Sequence, residues 1–156
     1  MFKLNKYKSP KIYKKNLLKF IIWEIISILF FNTSIPGSQL RFYILKLFGT
    51  KIGKKVILKP NIKIKYPWNL EIGSFSWIGE KVWIDNIAKV TIGNNTCISQ
   101  GVYICTASHN FKNVNFDLIL SPVRIGSNCW VAAKCIIAPG ANLKNNKFLK
   151  IGSRFI

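Results

Sequence analysis

An aliphatic residue recurs every six positions through the last two thirds of the chain, often directly before a glycine. The clearest pairs are Ile52-Gly53, Ile72-Gly73, Ile78-Gly79, Ile92-Gly93 and Ile125-Gly126. A six-residue unit suits one short flat strand followed by a bend that glycine tolerates. Since one such unit cannot bury a core alone, the units must stack. The repeat therefore predicts a β-helix in which three units close one triangular coil.

The spacing of the repeat also predicts the vertical register. Taking every third aliphatic as stacked gives coils that start at Ile52, Ile72, Ile92 and Ile125. Ile84 then lies under Ile104, and the extra residues of every coil fall at one corner. The third coil carries twenty-one residues between Ile104 and Ile125, which predicts a long loop. His109 stands at its start, and long loops on rigid repeats commonly carry function.

The first fifty residues differ from the repeat. Residues 1–16 are basic and predict a solvated arm, and residues 17–31 are apolar apart from Lys19 and Glu24. This stretch is too short to span a bilayer comfortably, so three interpretations stay open: a helix packed on the body, an interfacial membrane helix, or a signal-like anchor. Residues 39–48 predict an amphipathic helix. The chain thus divides into an arm with helices over 1–50 and a β-helix over 51–156, with the loop at about 105–122.

Composition narrows the function classes. The net charge of +19 raises nucleic acid and anionic membrane as partners. Lys far outnumbers Arg and clustered aromatic platforms are missing, so we expect no nucleic acid. With one histidine and five scattered carboxylates, we also expect no metal site and no paired-carboxylate chemistry.

The four cysteines have no C-x-x-C spacing, which favours a reduced, cytoplasmic chain. Cys129 and Cys135 fall four residues after a repeat aliphatic. That position carries small or β-branched residues in most units, so both are predicted to be small core residues.

Several segments together resemble the hexapeptide-repeat acyltransferases, most closely the colanic acid and exopolysaccharide biosynthesis acetyltransferases. They are residues 46–53 (KLFGTKIG), 66–73 (YPWNLEIG), 77–80 (WIGE), 82–86 (VWIDN), 99–101 (SQG), 106–110 (TASHN) and 125–133 (IGSNCWVAA). The resemblance implies a left-handed parallel β-helix and a homotrimer with acetyl-CoA bound between subunits. It implies O-acetylation of a sugar, free or lipid-linked, in surface polysaccharide biosynthesis.

The same resemblance assigns His109 as general base, a role that suits imidazole near neutral pH. Asp85 and Asn86 occupy the corner one coil below; either they bind the acceptor hydroxyl or orient the imidazole, or they form an ordinary solvated turn. By resemblance, Trp130 would line the pantetheine channel, with simple interface packing as the alternative. Backbone N–H groups near Ala132 and Ala133 would meet the cofactor amides and the thioester oxygen.

The C-terminus departs from the family pattern. The repeat stumbles through residues 144–150 and is expected to stop at Ile156 in mid-coil, where family members continue. This keeps open the alternative of a truncated, non-catalytic β-helix remnant. Acetyl transfer to a small-molecule hydroxyl is a separate alternative to the sugar acceptor. Peripheral membrane contact through residues 1–37 is a further expectation.

Overall fold

The computed structural model describes residues 2–10, 16–35 and 37–156. Two helices precede the repeat, α1 (Leu17–Phe30) and α2 (Ser38–Leu47), and short 3-10 turns lie at Leu4–Lys6 and Pro67–Asn69. Among the described residues, no helix is long and apolar enough to cross a membrane.

Seventeen short strands follow, and fifteen of them form five triangular coils. In chain order they are β1 (Lys51–Ile52), β2 (Ile57–Leu58) and β3 (Lys63–Ile64); β4 (Leu70–Ile72), β5 (Trp77–Ile78) and β6 (Trp83–Asp85); β7 (Val90–Ile92), β8 (Cys97–Ile98) and β9 (Tyr103–Cys105); the hairpin β10 (Ala107–His109) and β11 (Leu118–Leu120); β12 (Val123–Ile125), β13 (Trp130–Val131) and β14 (Ile136–Ile137); and β15 (Asn142–Leu143), β16 (Phe148–Leu149) and β17 (Arg154–Phe155).

Every third strand stacks in parallel, which produces three five-stranded sheets. The first sheet is β1-β4-β7-β12-β15, the second β2-β5-β8-β13-β16 and the third β3-β6-β9-β14-β17. The predicted register is confirmed, since Ile52 pairs with Ile72, Ile72 with Ile92 and Ile92 with Ile125. Ile84 likewise lies under Ile104. These aliphatics form a continuous buried column, and a fully buried aliphatic side chain contributes about 1.5–3 kcal/mol.

The repeat glycines serve a purpose other than the predicted bend. None of the five adopts a positive φ. A Cβ on Gly73 would instead lie 2.5 Å from the backbone nitrogen of Asn94 in the next coil, and one on Gly93 would lie 2.5 Å from that of Ser127. The bends use left-handed residues two positions later, at Phe75 and Asn95 for example. Glycine is therefore required because successive coils approach too closely for a side chain.

The prediction that the chain stops in mid-coil is wrong. Leu143, Leu149 and Phe155 stack in register on the fourth coil, so the fifth coil has all three of its strands. The six-residue spacing continues through these residues, but it is hidden because their neighbours are Lys and Asn rather than glycine. Cys129 and Cys135 are buried core residues, as predicted.

Helix α1 docks on the first coil through Trp23. Its ring is fully buried against Phe31 and Phe48, with centroids 5.2 and 5.1 Å away, and its Nε1 donates a 2.8 Å hydrogen bond to the Ile64 carbonyl. Arg41 is also buried and ties the two helices together, donating to the Phe30 carbonyl from Nε at 2.9 Å. The helices therefore form a fixed attachment at the first coil.

Candidate active site

The corner between the third and first sheets gathers the insertions. In the third coil the chain leaves β9, forms the β10–β11 hairpin and returns to β12. Thr106 fixes the base of this hairpin: it is fully buried, its N–H donates to the Asp85 carbonyl at 3.2 Å, and its carbonyl accepts from Ser121 N–H at 2.9 Å. The rigid coil below therefore sets where the hairpin begins.

His109 ends the first strand of the hairpin, where it pairs with Leu118. Its Nδ1 lies 2.8 Å from the Phe116 carbonyl oxygen, and the two rings stack with centroids 4.3 Å apart and planes 5° from parallel. Because a carbonyl oxygen can only accept, Nδ1 must carry the proton of this hydrogen bond. A neutral imidazole then has its lone pair on Nε2, which is the arrangement of a general base.

The N-terminal arm contacts this loop at its start, although residues 2–6 remain exposed as a solvated arm would be; residues 1 and 11–15 of the predicted arm lie outside the described part of the chain. The Tyr7 ring meets the His109 ring edge to face at 5.4 Å, and the Phe2 ring lies 4.6 Å from that of Phe116. The Lys3 N–H donates to a loop carbonyl at 2.9 Å. The sequence pattern gives no sign of this docking, because the arm lacks a periodic apolar face.

Asp85 lies at the same corner, one coil below the hairpin. Its Oδ1 is 3.0 Å from Lys65 Nζ, and its Oδ2 accepts from the Tyr103 hydroxyl at 3.3 Å. Burial, together with the neighbouring Cys105 and Asp85, raises the pKa of Tyr103. Tyr103 therefore stays protonated as a hydrogen-bond donor. Sequence reasoning missed Lys65 and Tyr103, although the register places both on the third sheet.

Asn86 has no exposed surface. Its Oδ1 accepts from Tyr66 N–H at 3.0 Å and its Nδ2 donates to the Tyr66 carbonyl at 2.7 Å. The amide thus closes the corner of the coil beneath, and in this conformation it is out of reach of a ligand. This differs from the predictions for Asn86, which were acceptor binding, orientation of the imidazole or a solvated turn, because the widened corner leaves backbone groups that need a side-chain partner.

Trp130 lies on the outer surface of β13 in the second sheet, 53% exposed. Its Nε1 donates to Ser99 Oγ at 2.9 Å and its ring packs 4.8 Å from that of Phe148. Ala132 and Ala133 follow in the same coil and are buried. The Ala132 N–H donates to the Leu149 carbonyl at 3.1 Å. The Ala132 N–H is therefore not free to contact a cofactor as predicted, because it is already bonded to the fifth coil.

The predicted residues are therefore only partly brought together. His109 and Asp85 share the corner between the third and first sheets, whereas Trp130 lies on the second sheet. In a triangular coil the second sheet is the side opposite that corner. Among the described residues, no three histidine, cysteine or carboxylate side chains are grouped so that they could hold a metal ion.

Several known proteins are similar to this chain in sequence or in fold. No family model matches the chain. It is 36% identical over 143 residues to a protein of Escherichia coli K12 named as a colanic acid biosynthesis acetyltransferase, WcaF, covering 90% of this chain and 78% of that one. Among solved structures, the maltose O-acetyltransferase of Clostridium difficile 630 matches with a TM-score of 0.79 and 27% identity over 91% of this chain and 79% of that one.

A second solved structure is similar in fold. It is a hexapeptide-repeat acetyltransferase from Vibrio cholerae O1 in complex with acetyl-CoA, with a TM-score of 0.79 and 20% identity, covering 97% of this chain and 83% of that one. The predicted left-handed parallel β-helix is confirmed by these neighbours.

Proposed function

The chain belongs to the hexapeptide-repeat acetyltransferases, and from this premise we propose that it moves an acetyl group from acetyl-CoA to a sugar hydroxyl of a surface polysaccharide or its precursor. The observation that carries the proposal is the His109 ring, whose Nδ1–H is held by a carbonyl so that Nε2 is the basic nitrogen. We propose a cytoplasmic site for the reaction.

The reaction needs one base and no covalent intermediate on the enzyme. Nε2 of His109 takes the proton of the acceptor hydroxyl as its oxygen forms a bond to the thioester carbonyl carbon. When the tetrahedral intermediate collapses, the carbon–sulfur bond breaks and the imidazolium returns its proton to the departing thiolate. The Phe116 carbonyl stabilises the imidazolium that forms in between, because its hydrogen bond to Nδ1–H strengthens with the charge.

A sugar acceptor is supported by the outer surface of the third sheet beside the His109 corner. The rings of Trp83 and Tyr103 pack there at a tilt of 40° with centroids 4.7 Å apart, and Trp83 is 39% exposed. Exposed aromatic rings with a hydrogen-bonding group beside them suit sugars, which have both apolar and hydroxyl surfaces. Asp85 is that group: its carboxylate is held by Lys65 Nζ and the Tyr103 hydroxyl and has lone pairs left to accept from a sugar hydroxyl. We therefore propose Asp85 as the acceptor-binding residue and Asn86 as the residue that holds the corner.

A homotrimer with the donor bound between subunits forms part of the proposal. The corner of one chain that carries His109 and the second sheet that carries Trp130 lie on opposite sides of one coil. Two copies are needed to bring them together. The exposed aromatic residues of the second sheet, Trp77, Trp130 and Phe148, support such packing, since large exposed apolar groups mark interaction sites.

The test is an acetyl-transfer assay with the full chain and the His109→Asn variant. Asparagine places an N–H close to the position of Nδ1, so it keeps the hydrogen bond to the Phe116 carbonyl but lacks the basic nitrogen. Release of the CoA thiol with a panel of oligosaccharides should fall about 10²–10⁴-fold in the variant. Thermal unfolding of the two proteins serves as the control for the fold.

Equal rates for the two proteins would refute His109 as the base. If the wild-type chain neither binds acetyl-CoA nor releases thiol, the non-catalytic remnant is the correct reading. Faster transfer to small-molecule hydroxyls than to any saccharide would show that the acceptor is a small molecule and not a sugar.

A further inference from the structure

Helix α1 has its apolar face turned outward. The side that docks on the coil carries Trp23 and Ser27, with Glu24 half-buried beside them. The opposite side is entirely aliphatic and 46–72% exposed, and we call it the α1 apolar face: Leu17, Leu18, Ile21, Ile22, Ile25, Ile28 and Leu29. A helix that merely packed on the body would present its polar residues to water. Seven aliphatic residues on the solvent side therefore require a partner.

The surface continues onto the second helix. A pocket of ≈150 Å³ lies between the helices, where Leu29, Ile35 and Leu40 line it together with the polar side chains of Thr33 and Arg41. Beyond it, α2 exposes Tyr43 and Leu47, and with Leu40 we call these residues the α2 strip. Because the buried Arg41 holds both segments in place, the α1 apolar face and this strip form one preformed apolar surface.

We propose that this surface binds an anionic lipid bilayer, with α1 lying flat in the headgroup region. At about 1.5 Å per residue, the fourteen residues of α1 extend about 21 Å. A span needs about 30 Å, so α1 is too short to cross and the length fits a helix parallel to the surface. This inference goes beyond the proposed acetyl transfer and does not depend on it.

Charge selects an anionic bilayer over a second copy of the chain. Glu24 is the only carboxylate in either helix, and it faces inward, where it lines a pocket with Lys63 and Lys65. Next to the α2 strip, Lys54 and Lys55 line a groove that also contains Tyr43. Basic side chains around an apolar surface attract anionic lipid, at about 1 kcal/mol for each lysine near the membrane.

A second copy would instead bring the same net charge of +19 towards this surface. It would also have an alternative place to associate, the exposed aromatic residues of the second sheet.

The test compares vesicle co-sedimentation of the full wild-type chain and of an Ile25→Gln/Ile28→Gln variant, which we call the α1 variant. The matched control is Ile151→Gln/Ile156→Gln, which makes the same two changes at exposed positions of the fifth coil. The vesicles are phosphatidylcholine, either pure or with about 30% phosphatidylglycerol. We expect the wild type and the control to bind the mixed vesicles at least about tenfold more tightly than the α1 variant does. Binding should weaken in high salt and on pure phosphatidylcholine.

Sedimentation velocity without vesicles identifies the occupant. The proposal of a bilayer is supported if the wild type and the α1 variant have the same assembly state and only the α1 variant loses vesicle binding. An α1 variant that loses its assembly state while wild type ignores vesicles would overturn the proposal in favour of a second copy. Equal vesicle binding by all three proteins would also overturn it, because binding would then come from the general positive charge. Neither readout requires acetyl-CoA or an acceptor, so both are independent of the proposed reaction.

Discussion

Replacing Gly93 with alanine should destabilise the protein more than replacing Gly152, although only Gly152 has a left-handed backbone. A Cβ on Gly93 would lie 2.5 Å from the Ser127 nitrogen and 2.6 Å from the Gly126 carbonyl carbon. Gly152 has φ +71° and no atom within 4 Å of the Cβ it would gain. The pair therefore separates crowding between coils from backbone strain.

The magnitudes follow from these two environments. To restore an ordinary contact, the fourth coil would have to move by almost 1 Å from the third, and the atoms in the way are backbone held by ladder hydrogen bonds. Overpacking of this kind costs about 3 kcal/mol or more. Left-handed alanine at 152 costs about 1–2 kcal/mol. Each substitution regains roughly 0.4–1 kcal/mol, because alanine restricts the unfolded chain. The net losses are about 2 kcal/mol or more for Gly93→Ala and about 0–1.6 kcal/mol for Gly152→Ala.

Urea unfolding followed by circular dichroism measures both changes. In a chain of this size, 1 kcal/mol corresponds to roughly 2–4 °C in melting temperature, so thermal scans give an independent value. Gly93 also lies at the junction between the coil that carries His109 and the coil that carries Trp130, and activity should fall with stability in this variant. A loss for Gly152→Ala equal to or larger than that for Gly93→Ala would refute the explanation that the repeat glycines exist for coil stacking.

Three further predictions concern single contacts. The hydrogen bond from Lys89, together with a second lysine, holds the pKa of Glu71 below its usual 4.5. These contacts therefore stabilise the fold above pH 4.5, and their contribution disappears as the pH falls through the lowered pKa of Glu71. Glu71→Gln should therefore lower the free energy of unfolding in urea by at most about 0.5 kcal/mol at pH 7 and leave it unchanged in strong acid. Tyr7→Ala removes the edge contact to His109, and we expect a lower kcat with an unchanged melting temperature; an unchanged kcat would show that the arm is not needed for catalysis. Trp23→Phe loses a buried hydrogen bond, and urea unfolding should show a loss of about 1–3 kcal/mol with acetyl transfer retained.

The repeat made the β-helix predictable because its period is a direct consequence of geometry. One inward aliphatic every six residues sets the strand, and every third one sets the stack. The eight-residue spacings before Ile72 and Ile92 identified the widened corner, and the register placed Asp85 one coil below the hairpin. These are local regularities, so the sequence alone contains them.

Contacts between segments far apart in the chain were not predictable in this way. Tyr7 and Phe2 of the arm contact hairpin residues that lie about a hundred positions later in the chain, and nothing in the composition of the arm indicates this. The direction of the α1 apolar face was also hidden, because a helix that is aliphatic nearly all round gives no sign of which side packs. The buried Trp23 determines which side of α1 packs on the coil. Asn86 looked like a surface turn residue, since a sequence does not show which backbone groups remain without partners.

The proposed base and the tryptophan proposed to line the cofactor channel place different demands on one chain. The orientation and protonation of His109 depend on local structure. The hairpin positions the ring, and the Phe116 carbonyl determines which nitrogen carries the proton. Trp130 cannot be brought to that ring by any loop movement, because the coil itself stands between the corner and the second sheet. A substitution in the hairpin should therefore alter the chemistry of each site without altering assembly. A substitution on the outer surface of the second sheet should alter assembly first, and activity would then be lost with the His109 geometry intact.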